Sequence, residues 1–161
     1  MTLLSSLLPV SHVKLDIDAS SKAKLFDQAA GLFSQTLSLN PSQIAGSLNE
    51  REKLGSTALG QGIAIPHGRV KGLREATGAF IRMRSPLEFE APDGKPVSLV
   101  FVLLVPERAN DVHLQILGEL ATLFSDREVR RQLTEAPDER IAQQVIVGWD
   151  PNASGKRRPT L

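Results

Sequence analysis

Val13, Leu15 and Ile17 alternate with Lys14 and Asp16, the period of two that a half-buried strand requires. From about Ser21 the spacing lengthens, and Leu25, Ala29 and Leu32 fall on one face of a helix. Asn40-Pro41-Ser42-Gln43 opens a second helix, with Asn40 as cap, Pro41 in the first turn and Gln43 placed to reach back as in a capping box. That helix runs to about Leu54 and stops at Gly55. Ahead of these elements, Leu3, Leu4, Leu7 and Leu8 repeat at helical spacing and end before Pro9, which predicts a short docking helix.

Residues Gly55 to Gly62, GSTALGQG, break the pattern and predict a loop. Ile63-Ala64-Ile65 is a short strand stopped by Pro66, with His67 and Gly68 directly after it. Ala79, Ile81 and Met83 alternate with Arg82 and Arg84, a strand with one wet face, and Pro92-Asp93-Gly94 is a turn. Val97 to Val105 is almost continuously apolar, which predicts a central strand covered on both faces. Asn110 or Asp111 caps a helix carrying Leu117, Leu120 and Phe124 inward. Ser125-Asp126-Arg127-Glu128 reads as a capping box for a helix with Val129 and Leu133. Pro137 starts the last helix, packed through Ile141 and Val145 and closed by Gly148. The expected fold class is α+β in α/β/α layers: one domain over residues 1–148, a mixed sheet with helices on both faces. Residues 149–161, including Lys156-Arg157-Arg158-Pro159, are expected to form a disordered basic tail.

Composition narrows the function. The 161 residues are 41% hydrophobic and 23% charged, normal for one soluble domain with its own core. A net charge of +1 and 4% aromatics speak against nucleic acid as a partner. There is no cysteine, so neither a disulfide nor a thiolate metal site is possible. No run approaches the roughly 20 apolar residues that span a bilayer, and MTLLSSLLP lacks a basic leader, so the expectation is a cytoplasmic chain without membrane insertion.

The histidines are then the natural candidates for chemistry. His67 follows a proline that fixes the chain and precedes Gly68, which would allow another molecule close approach. A neutral imidazole attacks phosphorus well, although the local context by itself favours a surface-loop histidine without a role. His113 falls in the first turn of its helix, where free N–H groups and the dipole favour anions, or where it is simply a core-edge residue. Arg51 continues the stripe of Ile44 and Leu48, and its planar fork suits either phosphate or a carboxylate such as Glu50 or Glu52. The loop amides with the hydroxyls of Ser56 and Thr57 form a possible anion cradle. Gln61-Gly62 stands where a P-loop needs lysine and a hydroxyl residue, so nucleotide binding has no support. The histidines lack paired metal-ligand spacing, and His12 reads as a surface residue.

Arg51-Glu52-Lys53-Leu54-Gly55-Ser56-Thr57, Gly60-Gln61-Gly62-Ile63-Ala64-Ile65-Pro66-His67-Gly68, Leu103-Leu104-Val105-Pro106 and His113-Leu114, in this order, resemble the IIA proteins of the bacterial sugar phosphotransferase system, fructose/mannitol and nitrogen-regulatory branch. The resemblance covers about residues 1–148 and implies the type-2 EIIA fold. It implies His67 as the phosphorylated residue, Arg51 and His113 beside it, and Ser56, Thr57 and Gly68 around the phosphoryl group. It further implies a phosphoryl carrier rather than a free-standing turnover enzyme, charged by a histidine phosphocarrier protein and needing no metal or other cofactor. A leucine-rich N-terminal helix without a transport domain is more similar to the nitrogen-regulatory type, whose implied partners are regulatory targets such as kinases or potassium transporters. The alternative is a sugar-specific IIA passing phosphate to a IIB domain. A binding module that has lost the chemistry and a histidine-metal hydrolase are the readings from other classes.

Overall fold

The computed structural model describes residues 3–108 and 111–150. Two short 3-10 helices, Leu3–Ser6 and Val10–His12, lead into β1 (Val13–Ile17), α1 (Lys22–Leu37) and α2 (Pro41–Lys53). The strands β2 (Ala58–Gly60), β3 (Ile63–Ala64), β4 (His67–Val70), β5 (Thr77–Leu87) and β6 (Val97–Pro106) follow, then α3 (Asp111–Ser125), α4 (Arg127–Glu135) and α5 (Glu139–Val147). The six strands form one mixed sheet in the order β1-β5-β6-β3-β2, with β4 also paired to β6. β1 runs parallel to β5, β5 antiparallel to β6, and β3 and β4 both parallel to the far edge of β6.

The continuous apolar run of β6 is explained by burial on two sides. Leu99, Phe101, Leu103 and Val105 pack into a core with α3, α4 and α5. Val100, Val102 and Leu104 point into a second core with Phe26 and Phe33 of α1 and Ile44 and Leu48 of α2. The outcome is a sheet between helical layers. The N-terminal leucines dock as predicted, with Leu4, Leu7 and Leu8 at most 3% exposed, although the helix is 3-10 rather than α. No described helix is long and apolar enough to cross a membrane.

Several local expectations are corrected. Residues 55–62 are not a plain loop: Gly60 pairs with Ile63, and Gln61 (φ 59°) and Gly62 (φ 79°) form the two-residue turn of a β2–β3 hairpin. The Asp93 carboxylate holds that turn by accepting from Gln61 N at 2.9 Å. β5 has no wet face at Arg82, because the guanidinium donates to Leu133 O, Thr134 O and Ala136 O at the end of α4 and meets Asp16 besides. Asp126, not Ser125, caps α4 by accepting from Glu128 N, and the Ser125 hydroxyl donates to Thr122 O instead. Asp138, not Pro137, caps α5, which turns Ala142 and Ile146 inward and leaves Ile141 39% exposed. Leu117 of α3 is only half-buried, while Ile116 and Leu123 join Leu120 and Phe124 in the core. Asp111 is the first residue of α3, and Asn110 lies outside the described residues.

His12 is not on the surface. It is 1% exposed, donates from Nδ1 to Gly78 O at 3.0 Å, and accepts at Nε2 from the Thr36 hydroxyl at 2.6 Å. At the other end, Trp149 packs into the α3–α5 core, and the basic run Lys156 to Pro159 lies outside the described residues.

Candidate functional site

β3 and β4 line the same edge of β6 in succession, and the chain between them is pinched at Ile65-Pro66. Leu103 N donates to Pro66 O there, so pairing resumes at once and His67 opens β4 opposite Leu103. His67 therefore belongs to a strand, not to the loop that local context suggested. Its Nδ1 lies 2.9 Å from Ile65 O, an acceptor without a proton, so Nδ1 carries the hydrogen and the neutral ring presents a lone pair at Nε2. The ring's pKa is pushed down, chiefly by burial and further by the nearby Arg51 charge. The Ile65 carbonyl and the Glu52 carboxylate pull the other way. His67 is thus held as the neutral imidazole, the nucleophilic form, at physiological pH.

A cavity of about 890 Å³ opens beside it between α2, β4 and the start of α3. The cavity brings together Arg51, His67, Gly68 and His113, four of the residues expected from sequence. Its rim is apolar on both flanks: Leu54 at the end of α2 is 84% exposed and Leu114 in α3 is 66% exposed. Arg51 is not on the inward stripe of α2, which runs Ile44, Leu48, Glu52. Its Nη1 donates to Gly55 O at 2.9 Å, and among the described residues no carboxylate pairs with it. The guanidinium keeps free donors beside the imidazole.

Ser56 and Thr57 line a smaller void of about 230 Å³ that also touches Arg51 and His67. Their hydroxyl protons are committed elsewhere, Ser56 to Phe89 O at 2.5 Å and Thr57 to Glu52 Oε1 at 2.6 Å. Thr57 N donates to Glu52 Oε2, and Ala58 N to the Ser56 hydroxyl. In this arrangement the segment offers little of an anion cradle. Gly68 has a different reason from the one expected. A Cβ there would stand 2.4 Å from the Ser47 hydroxyl oxygen, so the close neighbour that requires glycine is α2 itself. Sequence reasoning weighed Glu52 only as a partner for Arg51, whereas it is 8% exposed and bonded to Thr57 and Lys22; its i+4 spacing from Leu48 on the apolar stripe was the available signal of burial. No three His, Asp or Glu side chains gather as a cation site among the described residues.

Residues 6–147 match the family model described as Phosphoenolpyruvate-dependent sugar phosphotransferase system, EIIA 2. The nitrogen regulatory protein of Pseudomonas aeruginosa is 37% identical over 148 residues, 91% of this chain and 96% of that protein. The crystal structure of nitrogen regulatory protein IIA-Ntr from Neisseria meningitidis superposes with a TM-score of 0.85 at 48% identity, covering 90% of this chain and 99% of that one. The fructose-specific EIIABC component of Bacillus subtilis is 34% identical over 144 residues, 89% of this chain but 23% of that longer protein.

Proposed function

This chain belongs to the EIIA type-2 family of the phosphoenolpyruvate-dependent sugar phosphotransferase system, and from that premise we propose that it is the phosphoryl-carrying regulatory IIA of a nitrogen-related branch, with His67 as the acceptor. The observation that carries the assignment of the acceptor is the Nδ1–H···Ile65 O bond at 2.9 Å, which leaves Nε2 as the nucleophile at the cavity between Arg51 and His113. The Nε2 lone pair attacks the phosphorus of a phosphohistidine on a small histidine phosphocarrier protein of the HPr or NPr kind. The N–P bond of the donor breaks, its electron pair returns to the donor ring, and a new N–P bond forms at Nε2. No proton has to move, because the His67 proton stays at Nδ1.

Such a transfer asks for alignment and for stabilisation of the equatorial oxygens rather than for covalent help. Arg51 and the N-terminal turn of α3 with His113 supply positive charge and donors on two sides of that position. Leu54 and Leu114 give the donor an apolar seat and exclude water as it docks. Once phosphorylated, the site carries a dianion beside the same rim, so targets such as kinases or potassium transporters meet two different surfaces. The setting for this exchange is the cytoplasm, where phosphoenolpyruvate and the carrier proteins reside.

Intact-mass analysis after incubation with phosphoenolpyruvate, enzyme I and the phosphocarrier tests the reading. One acid-labile phosphoryl adduct is expected on wild type and none on His67→Ala; no adduct on wild type with a charged donor rejects the carrier. The kinship to a fructose-specific component supports the second reading, a sugar IIA. Rapid transfer from the phosphorylated chain to a purified IIB domain would favour it.

A further inference from the structure

Behind the cavity lies a buried ionic cluster that transfer itself does not use. Glu52 takes the position on α2 where the stripe of Ile44 and Leu48 would place another apolar residue, and its side chain is only 6% exposed. A buried carboxylate is costly unless it is paired and hydrogen-bonded, and this one is both. It accepts from Thr57 N at 3.1 Å, from the Thr57 hydroxyl at 2.6 Å and from Lys22 Nζ at 3.1 Å. Lys22, the first residue of α1, also reaches Glu90 at 3.2 Å and stands 5.3 Å over the Phe89 ring.

The bonds continue from Thr57 to the imidazole. Ile65 N donates to Thr57 O at 3.0 Å, and Ile65 O receives the His67 Nδ1 proton at 2.9 Å. Glu52 thus grips both donors of the residue whose carbonyl seats the residue that orients the ring. We propose that Glu52 is a positioning residue for His67: acting through Thr57 and Ile65 it keeps Nδ1 protonated and Nε2 aimed at the cavity, and Lys22 holds Glu52 in that place. The inference rests on His67 as the phosphoryl acceptor. Fixed by a second shell of bonds, the nucleophile meets phosphorus without first reorienting, which is where misplacement costs most in rate.

Glu52 also acts by charge. The charged or titratable groups around His67 are Glu50, Arg51, Glu52 and Lys53 of α2, Arg69 of β4, and Asp111 and His113 of α3. Among them Arg51 disfavours the imidazolium and Glu52 favours it. Removing the Glu52 charge therefore lowers the His67 titration midpoint, while the tautomer reports whether Glu52 aims the ring.

The test compares wild type, Thr57→Val, Thr57→Ser and Glu52→Gln by two readouts: histidine nitrogen NMR of the His67 tautomer and its titration, and transfer from the charged phosphocarrier at varied donor concentration. Thr57→Val removes one bond at nearly constant volume. Its maximal transfer rate is expected to fall about tenfold with the half-saturating donor concentration unchanged and the Nδ1–H tautomer no longer exclusive. Thr57→Ser restores both, and Glu52→Gln shifts the His67 midpoint downward. A folded Thr57→Val with the wild-type rate and tautomer overturns the proposal. If Thr57→Val does not fold, a wild-type midpoint and tautomer in Glu52→Gln overturn it instead. Wild type that takes no phosphoryl group defeats the carrier reading, and the NMR results still decide whether Glu52 aims the ring.

Discussion

His12 and Gly68 each owe their place to a contact made far along the chain. His12 is held by Gly78 O and Thr36, 66 and 24 residues away, which is why a histidine beside a proline-bounded segment reads as exposed in sequence and proves buried. His67, by contrast, stood out through the resemblance that the run Ile63-Ala64-Ile65-Pro66-His67-Gly68 carries, since its local context by itself favours a loop histidine without a role. Both rings have pKa values below the ordinary histidine value, with burial as the leading cause. The unfolded chain therefore binds protons at these sites before the folded one does. Stability is full above the unfolded value of about 6.5 and falls as the pH drops below it toward the folded values. A melting temperature that stays level from neutral pH downward would contradict this, and His12→Gln should flatten the decline. Gly68→Ala drives a methyl against Ser47 and is expected to cost about 1–3 kcal/mol in urea unfolding, partly recovered by adding Ser47→Ala; an unchanged midpoint would mean α2 does not rest on β4 there. Arg51→Ala should slow phosphoryl acceptance by about 100-fold with an unaltered melting temperature, because among the described residues the guanidinium bonds only to Gly55 O, in a partly exposed position.

Among the elements, long periodic ones were readable and their joints were not. Asn40 caps α2 as its sequence suggests, accepting from Ser42 N and Gln43 N, and Ser21 caps α1 by accepting from Lys24 N. At α4 the cap is Asp126 rather than Ser125, a carboxylate accepting more strongly than a hydroxyl, and α5 starts after Asp138 rather than at Pro137, because the Asp138 carboxylate can accept from the first-turn N–H of Ile141. The β2–β3 hairpin was hidden by its own glycines, which signal a turn but not the two strands flanking it. Arg82 illustrates how an alternating strand misleads: the polar position is charged yet its side chain is 14% exposed, because it caps the carbonyl end of α4 while meeting Asp16. Arg82→Met should therefore destabilise the protein by about 1.5–3 kcal/mol. Hydrogen exchange should quicken first at the last turn of α4, and uniform loss of protection across the sheet would argue against this cap.

Across the whole molecule, the sheet separates the two cores and carries the site at one edge. His67 pairs with Leu103, and Leu103 with Gly78 on the other side of β6, so His67 sits on a rung that is buried beneath it, with the cavity and the smaller void beside its ring. On the proposed function, phosphorylation would alter charge at this one place and leave the apolar rim as it was, so a partner would meet a different surface on the same fold. The rim was only partly legible, since Leu54 closes a helix and Leu114 begins one, and neither shows in sequence that it stays uncovered. Leaving two leucines 84% and 66% exposed around a half-buried imidazole makes sense if a partner covers them during transfer. Leu54→Asp and Leu114→Asp are accordingly expected to lower the second-order rate of phosphorylation by about tenfold each. The melting temperature and the His67 titration should stay as in wild type, because neither side chain holds the core. A loss of rate accompanied by a shifted His67 titration would place these leucines in the site's architecture instead. Wild-type rates in both variants would mean that the donor approaches His67 from another side.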